Sequence, residues 1–238
     1  MKSFGLNSNP FIYLKSVTNL KRSTKVYIFS NSDDFSIDYI LKYTVDDYFK
    51  NNPNEYNCKV LDPACGSGNF LIIAYKKLRQ LEMSIMQRID SLSKEKTFQF
   101  SEIKLTQFYG IELDDFAHEV AILSLWLAEH QMNVLFKKEF GTVPPALPLQ
   151  DGGNIVHGNA TRLDWEKVCP KNDGDEIYVL GNPPYLGFSQ QDKEQKNDMK
   201  FLLKQPGRLD YVACWFVKGS AYIKNFNASF SFVSTNSI

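Results

Sequence analysis

The sequence is poor in the features that mark several common protein classes. Its 238 residues carry 27 Lys+Arg against 27 Asp+Glu, so no net charge of either sign accumulates. Dedicated nucleic-acid modules draw most of their affinity from neutralising phosphates and are usually basic. This chain therefore lacks the signature of strong autonomous nucleic-acid binding, although a local basic patch is compatible with the balance. The four cysteines, Cys58, Cys65, Cys169 and Cys214, have no CxxC spacing. That argues against a zinc cage or a disulfide framework and for reduced thiols. His118, His130 and His157 share no ligand spacing, so no metal site is expected. No apolar run approaches the ~18 residues of a membrane span, and the first 16 residues, MKSFGLNSNPFIYLKS, contain no continuous apolar stretch of a secretory signal. A cytoplasmic location and no membrane partner are the expectation.

What is present is an alternation of strand-like and helix-like segments in a chain long enough for one α/β domain. CKVLD from Cys58, QFYGIE from Gln107, NIVHG from Asn154, EIYVLG from Glu176 and ASFSFVST from Ala228 read as short buried strands. Between them, the segment from Gly68 to Ile89, the segment from Asp114 to Phe136 and LDYVACWFVKGSAYIKN carry helical spacing. Asp114 reads as a helix cap, with Asp115 in the acidic first turn, and Trp126 and Leu127 read as core residues on a helix face. The order predicts a doubly wound, Rossmann-like α/β fold with a mostly parallel sheet. Upstream, KVYIFS reads as one strand and residues 35–51 as a helix, within an N-terminal segment of residues 1–50 preceding a main domain of residues 51–238. A sheet ending at the strand from Ala228 exposes an edge. The expectation is that chain beyond Ile238 continues the sheet; cover by residues 1–34 is the alternative.

VLDPACGSGNFL has the form of a ligand-binding turn at the carboxyl end of a strand. Gly66 and Gly68 let backbone approach a ligand, and the helix beginning near Asn69 presents free N–H groups there. It is not a dinucleotide fingerprint, since Leu71 occupies the third glycine position and the next strand-end acid, Glu112, comes 50 residues after Asp62. Nor does a Gly-Lys-Ser/Thr follow, as a phosphate-binding P-loop requires. Two strand-end acids around a glycine turn suit an adenosine bearing a zwitterionic amino-acid tail. Asp62 would lie near the ammonium, the helix N-terminus near the carboxylate, and Glu112 on the ribose hydroxyls.

GNPPYLG, from Gly181, ends another strand with an amide, two prolines and an aromatic ring. One glycine or proline suffices to stop a strand, so holding Asn182 and Tyr185 on a stiff backbone asks for a chemical reason. In the order DPACGSGNF, GIELDDFA, GNPPY, these segments resemble the amino-group DNA methyltransferases that make N6-methyladenine from S-adenosylmethionine. LDYVACWFVKGSAYI and FVSTNSI are similar, more narrowly, to the MmeI-like group, in which one polypeptide joins a nuclease, a methyltransferase and a DNA-recognition domain. The resemblance covers residues 57–238.

The resemblance implies that Asp62, Ala64, Gly66 and Gly68 shape the methionine end of an S-adenosylmethionine pocket. It implies that Glu112 binds the ribose, Leu113 packs on the cofactor adenine, and Asn159 and Ala160 contact that adenine's edge. Many relatives have Asp where Asn159 stands. Asn182, Pro183, Pro184 and Tyr185 are the implied catalytic segment, acting on a flipped-out adenine in double-stranded DNA. Base recognition would fall to a domain outside this chain. Asn-Pro-Pro-Tyr also occurs in enzymes that methylate protein glutamine or RNA, so that alternative stays open, as does a non-catalytic cofactor-binding remnant. Residues 187–208, with Lys193, Lys196, Lys200, Lys204 and Arg208 among Asp192, Glu194 and Asp198, read either as a mobile DNA-touching loop or as a solvated face.

Overall fold

The computed structural model describes residues 58–92, 100–141 and 153–234, together with the backbone of two strands at 12–17 and 24–30. The strands are β1 (Ile12–Val17), β2 (Thr24–Ser30), β3 (Cys58–Asp62), β4 (Phe108–Glu112), β5 (Asn154–His157), β6 (Glu176–Gly181) and β7 (Ala228–Ser234). The helices are α1 (Asn69–Leu92), α2 (Asp115–Phe140), α3 (Trp165–Val168), α4 (Lys193–Leu202) and α5 (Ala213–Tyr222). The helix expected over residues 35–51 lies outside the described residues.

The sheet order is β1-β2-β7-β6-β3-β4-β5, and the five strands β3 to β7 are all parallel. This is the expected Rossmann-like architecture. The chain runs outward from β3 through β4 to β5, then returns to place β6 on the other side of β3. That reversal opens a crevice at the carboxyl ends of β3 and β6, where open α/β sheets bind ligands. The outer edge of β7 is not bare. It pairs in parallel with β2, from Val26 opposite Phe230 to Ser30 opposite Ser234, and β1 adds antiparallel to β2. The cover for this edge thus comes from the N-terminal segment, the alternative rather than the expectation. β1 has no clear sequence period and was not foreseen.

Buried on both faces, the central strands alternate cleanly between two cores. Val60, Phe108, Tyr178 and Leu180 pack with α1 and α2, whereas Leu61, Ile111, Ile177, Val179, Phe230 and Phe232 pack with α3, α4 and α5. Asp114 caps α2 through the Ala117 N–H at 2.8 Å, and Asp115 sits in the first turn, both as expected. The inward row of α2 is Ala121, Leu125, Ala128, Met132 and Phe136. Trp126 is partly buried beside that row, but Leu127 is 53% exposed, so its assignment to the core was wrong. It lies on the outward side of the helix, which apolar composition alone does not distinguish.

Residues 187–208 form neither a plain loop nor a uniformly solvated face. They contain α4, started by a reciprocal cap in which Asp192 accepts from the Gln195 N–H and Gln195 accepts from the Asp192 N–H. All four cysteines are free and buried. Among the described residues, no helix is long and apolar enough to cross a membrane.

Candidate active site

The glycine turn after β3 is fixed at nearly every residue. The Pro63 carbonyl accepts from Trp215 Nε1 at 3.0 Å, the Ala64 N–H donates to Asp62 Oδ1 at 3.0 Å, and the Cys65 N–H to the Ile111 carbonyl at 3.1 Å. Gly66 stands at φ +53°, a left-handed conformation that a side chain would strain, with open space where its Cβ would point. Its N–H donates to Glu112 Oε2 at 2.7 Å. Gly68 closes the turn with a 2.8 Å bond to the Cys65 carbonyl, and the first helical bond of α1 runs from Ile72 to Gly68. The N–H groups of Asn69, Phe70 and Leu71 therefore have no intrahelical acceptor, a setting that favours an anionic group.

Glu112, at the end of β4, joins this turn to the start of α2, because its Oε1 accepts from the Asp114 N–H at 2.9 Å. A carboxylate offers about four acceptor positions, so two backbone bonds leave capacity for two hydroxyls. Leu113, next in sequence, is 65% exposed and lies beside this carboxylate along the chain.

Asp62 is 1% exposed, and its Oδ2 has no hydrogen-bond partner among the described residues. Burial pushes this carboxyl up to about 7; the Ala64 N–H works against the shift and the neighbouring Glu112 carboxylate adds to it. A buried carboxylate with one orphaned oxygen is costly unless a cation arrives. The residue across the crevice is Gly181, the last of β6. A Cβ there would collide with Asp62 Oδ1 and stand 3.0 Å from its Cγ. The absence of a side chain at Gly181 thus lets β6 run past the acid before the chain reaches Asn182. Pro183 is buried, whereas Asn182, Pro184 and Tyr185 are exposed at the same strand end. The two strand ends that sequence reasoning singled out separately, Asp62 and Gly181–Asn182, meet at the sheet's reversal point.

The family model for the MmeI DNA-methyltransferase domain matches residues 49–238. The chain belongs to that family. It is 51% identical to DNA methyltransferase A of Bacillus subtilis over 184 residues, covering 76% of this chain and 21% of that protein. A putative type II restriction enzyme and methyltransferase of Methanocaldococcus jannaschii is 45% identical over 73 residues, covering 29% of this chain and 6% of the relative. Among solved structures, the type IIL restriction-modification enzyme MmeI in complex with DNA superposes with a TM-score of 0.69 at 32% identity, covering 82% of this chain and 29% of that one. The chain thus spans about a fifth of the length of the first of these curated relatives.

In this MmeI-family domain, Asn159 and Ala160 follow β5, and the Asn159 amide is committed within the protein. Its Oδ1 accepts from the Thr161 N–H at 2.9 Å and the Thr161 hydroxyl at 2.7 Å, and its Nδ2 donates to Asp198 Oδ2 at 3.1 Å. Ala160 is buried, its carbonyl accepting from Trp165 Nε1 at 2.9 Å. Asp198 is a junction that the sequence reading missed. It also accepts from Arg162 Nε at 2.6 Å and the Tyr211 hydroxyl at 2.7 Å, tying α4 to the β5 loop and to α5. Burial pushes its carboxyl up, but the bonds from Tyr211, Asn159 and Arg162 outweigh burial and hold it below the usual carboxylate range. A signal was available only indirectly, as one acid at a helical interval inside a basic run.

Asp115, His118 and Glu119 bring ligand atoms within 4.8 Å of one another on the surface of α2. Both His118 nitrogens are already engaged, with Glu119 and with the Ile155 carbonyl, and no buried unpaired group points to a metal there.

Proposed function

We propose that this chain transfers a methyl group from S-adenosylmethionine to the N6 amine of an adenine flipped out of double-stranded DNA, within a restriction-modification or related defence system. The observation that carries the reading is the meeting of Asp62 with Gly181–Asn182 at the sheet reversal. The residues fit the cofactor: Asp62 has an unpaired buried oxygen suited to an ammonium, the α1 N-terminus suits a carboxylate, and Glu112 retains acceptor capacity for a ribose. Ala64, Gly66 and Gly68 line the backbone at the methionine end, with Leu113 available to the adenine face. Asn159 and Ala160 bound the far side by the shape of their turn, since the Asn159 amide is already bonded.

When bound, S-adenosylmethionine supplies an electrophilic methyl on a sulfonium. An exocyclic adenine nitrogen is a poor nucleophile because its lone pair is delocalised into the ring. The Asn182 side-chain oxygen and the Pro183 carbonyl accept its two N–H groups and favour pyramidal nitrogen, so positioning and fixed dipoles supply the rate. Prolines 183 and 184 keep those acceptors stiff. No strong base is needed, because the proton is acidic only once nitrogen carries the methyl, and it then leaves to solvent. Tyr185, 40% exposed, stacks on the extruded base. Exposed Phe188 and Phe201 lie under Lys196 at 5.2 Å and Arg162 at 4.4 Å, which supports a DNA-facing surface beside the segment.

The test is transfer of labelled methyl from the cofactor to DNA, followed by nucleoside digestion. Label in N6-methyldeoxyadenosine is expected. Label in protein glutamine, RNA or methylcytosine instead overturns the assignment, and cofactor binding without transfer to any acceptor favours a non-catalytic remnant. Within the reading, Tyr185→Ala should lower transfer about tenfold, on the ~1–3 kcal/mol scale of base stacking. Tyr185→Phe keeps the ring and should stay within about threefold, both measured as single-turnover rates on the same duplex.

A further inference from the structure

Residues 182–187 have no regular secondary structure, yet an acceptor array works only if its atoms hold still. One end is anchored, because Gly181 is paired with Phe232 in the sheet. The other end is anchored by two buried side chains that the proposed chemistry does not use. Asp210 Oδ1 accepts from the Leu186 N–H at 2.8 Å and the Val212 N–H at 3.1 Å. The Leu186 carbonyl accepts from Gln191 Nε2 at 2.9 Å and from the Tyr211 N–H at 3.0 Å, and Gln191 Nε2 also reaches the Leu209 carbonyl at 3.0 Å. Asp210 is 8% exposed and Gln191 4%. Both polar groups of the residue after Tyr185 are therefore sewn to the entry of α5.

We propose that Asp210, assisted by Gln191, is a positioning residue for the acceptor segment. It touches neither substrate nor cofactor. By clamping Leu186 it fixes the peptide that carries Tyr185 and, through the two prolines, the Pro183 carbonyl. An anchor 24 residues downstream of the peptide it holds makes the geometry of the site depend on how α5 docks on the sheet. Misplacing a reacting group by about 1 Å is enough to cost large factors in rate. The inference rests on the function proposed for Asn182 to Tyr185.

The test compares Asp210→Ala, Asp210→Asn and Gln191→Ala with Asn182→Ala in the full chain. Amide hydrogen exchange at Leu186 reads the clamp itself, with Val179 in β6 as internal reference. Asp210→Ala should speed exchange at Leu186 at least tenfold without changing Val179. It should also lower kcat at least tenfold, with KM for DNA and affinity for S-adenosylhomocysteine within about threefold. Asp210→Asn keeps an acceptor oxygen for both N–H groups and should restore both readouts. Should Asp210→Ala fail to fold, Gln191→Ala removes one of the two donors to the Leu186 carbonyl while the Tyr211 N–H and the Asp210 bonds stay, and should lower kcat about threefold or more. Unchanged Leu186 exchange, or faster exchange with wild-type kcat while Asn182→Ala is inactive, overturns the positioning role. Wild-type transfer by Asn182→Ala instead overturns the catalytic reading on which the role depends.

Discussion

Asn182→Ala is expected to slow methyl transfer by about 10²–10³-fold, the usual cost of removing one preorganised hydrogen-bonding group from a reacting centre. The side chain stands at the end of β6, held there because Gly181 lets the strand pass Asp62 without a clash. Alanine leaves the Pro183 carbonyl as the sole acceptor of the pair, so the amine keeps one fixed N–H and regains planar geometry. Asn182→Asp retains an acceptor oxygen and should lose much less, within about tenfold. Asn182 is exposed, so the unfolding free energy from urea titration should change by no more than about 0.5 kcal/mol in either variant. Cofactor affinity should stay within about twofold, because the residues proposed to hold the cofactor lie on β3, β4 and the turn after β5. Single-turnover transfer at saturating cofactor isolates the step, and a wild-type rate in the alanine variant would remove Asn182 from the mechanism.

The parts of the site that the sequence made legible are those whose chemistry is local. A buried strand, a glycine turn and a helix start are adjacent in Cys58–Leu71, so periodicity and turn residues were enough to read β3, the turn and α1. The same holds for β6 running into Asn182. Hidden from that reading were pairings between distant segments. Asp198 meets Asn159 across 39 residues and Asp210 meets Leu186 across 24, and no local pattern announces either bond. α4 is a different case: the Asp192–Gln195 reciprocal cap is a recognised helix start, but the alternating charges that follow drew the reading toward a loop or solvated face. β2 joins the sheet by backbone pairing with β7 and β1 by pairing with β2; KVYIFS reads as a strand, but nothing local says where it pairs. Leu127 shows the remaining weakness, since an apolar residue on a long helix does not reveal which side the sheet will take.

Cofactor affinity is expected to rise about tenfold per pH unit between pH 5 and 7 and then level off, because Asp62 must ionise to pair with an ammonium. In the free protein its carboxyl is pushed up to about 7, chiefly by burial. At pH 5 it is neutral, and binding a cation beside it requires loss of the proton. Calorimetric titration with S-adenosylhomocysteine in buffers of different ionisation enthalpy should therefore detect proton release near pH 6, falling toward zero by pH 8. The ammonium stays charged across the rising limb, so the dependence belongs to Asp62. Asp62→Asn should bind at least tenfold more weakly than wild type at pH 7.5 and show neither the slope nor the proton release. Stability carries the opposite sign. A carboxyl whose folded pKa lies above its unfolded value near 3.8 contributes stability below about pH 4 that is lost as pH rises through about 7. Without cofactor, wild type should then lose up to about 4 kcal/mol relative to Asp62→Asn between pH 4 and pH 8, read from urea midpoints. Parallel pH profiles for the two proteins, in binding and in unfolding, would mean that the orphaned oxygen of Asp62 is not where the cation of the cofactor docks.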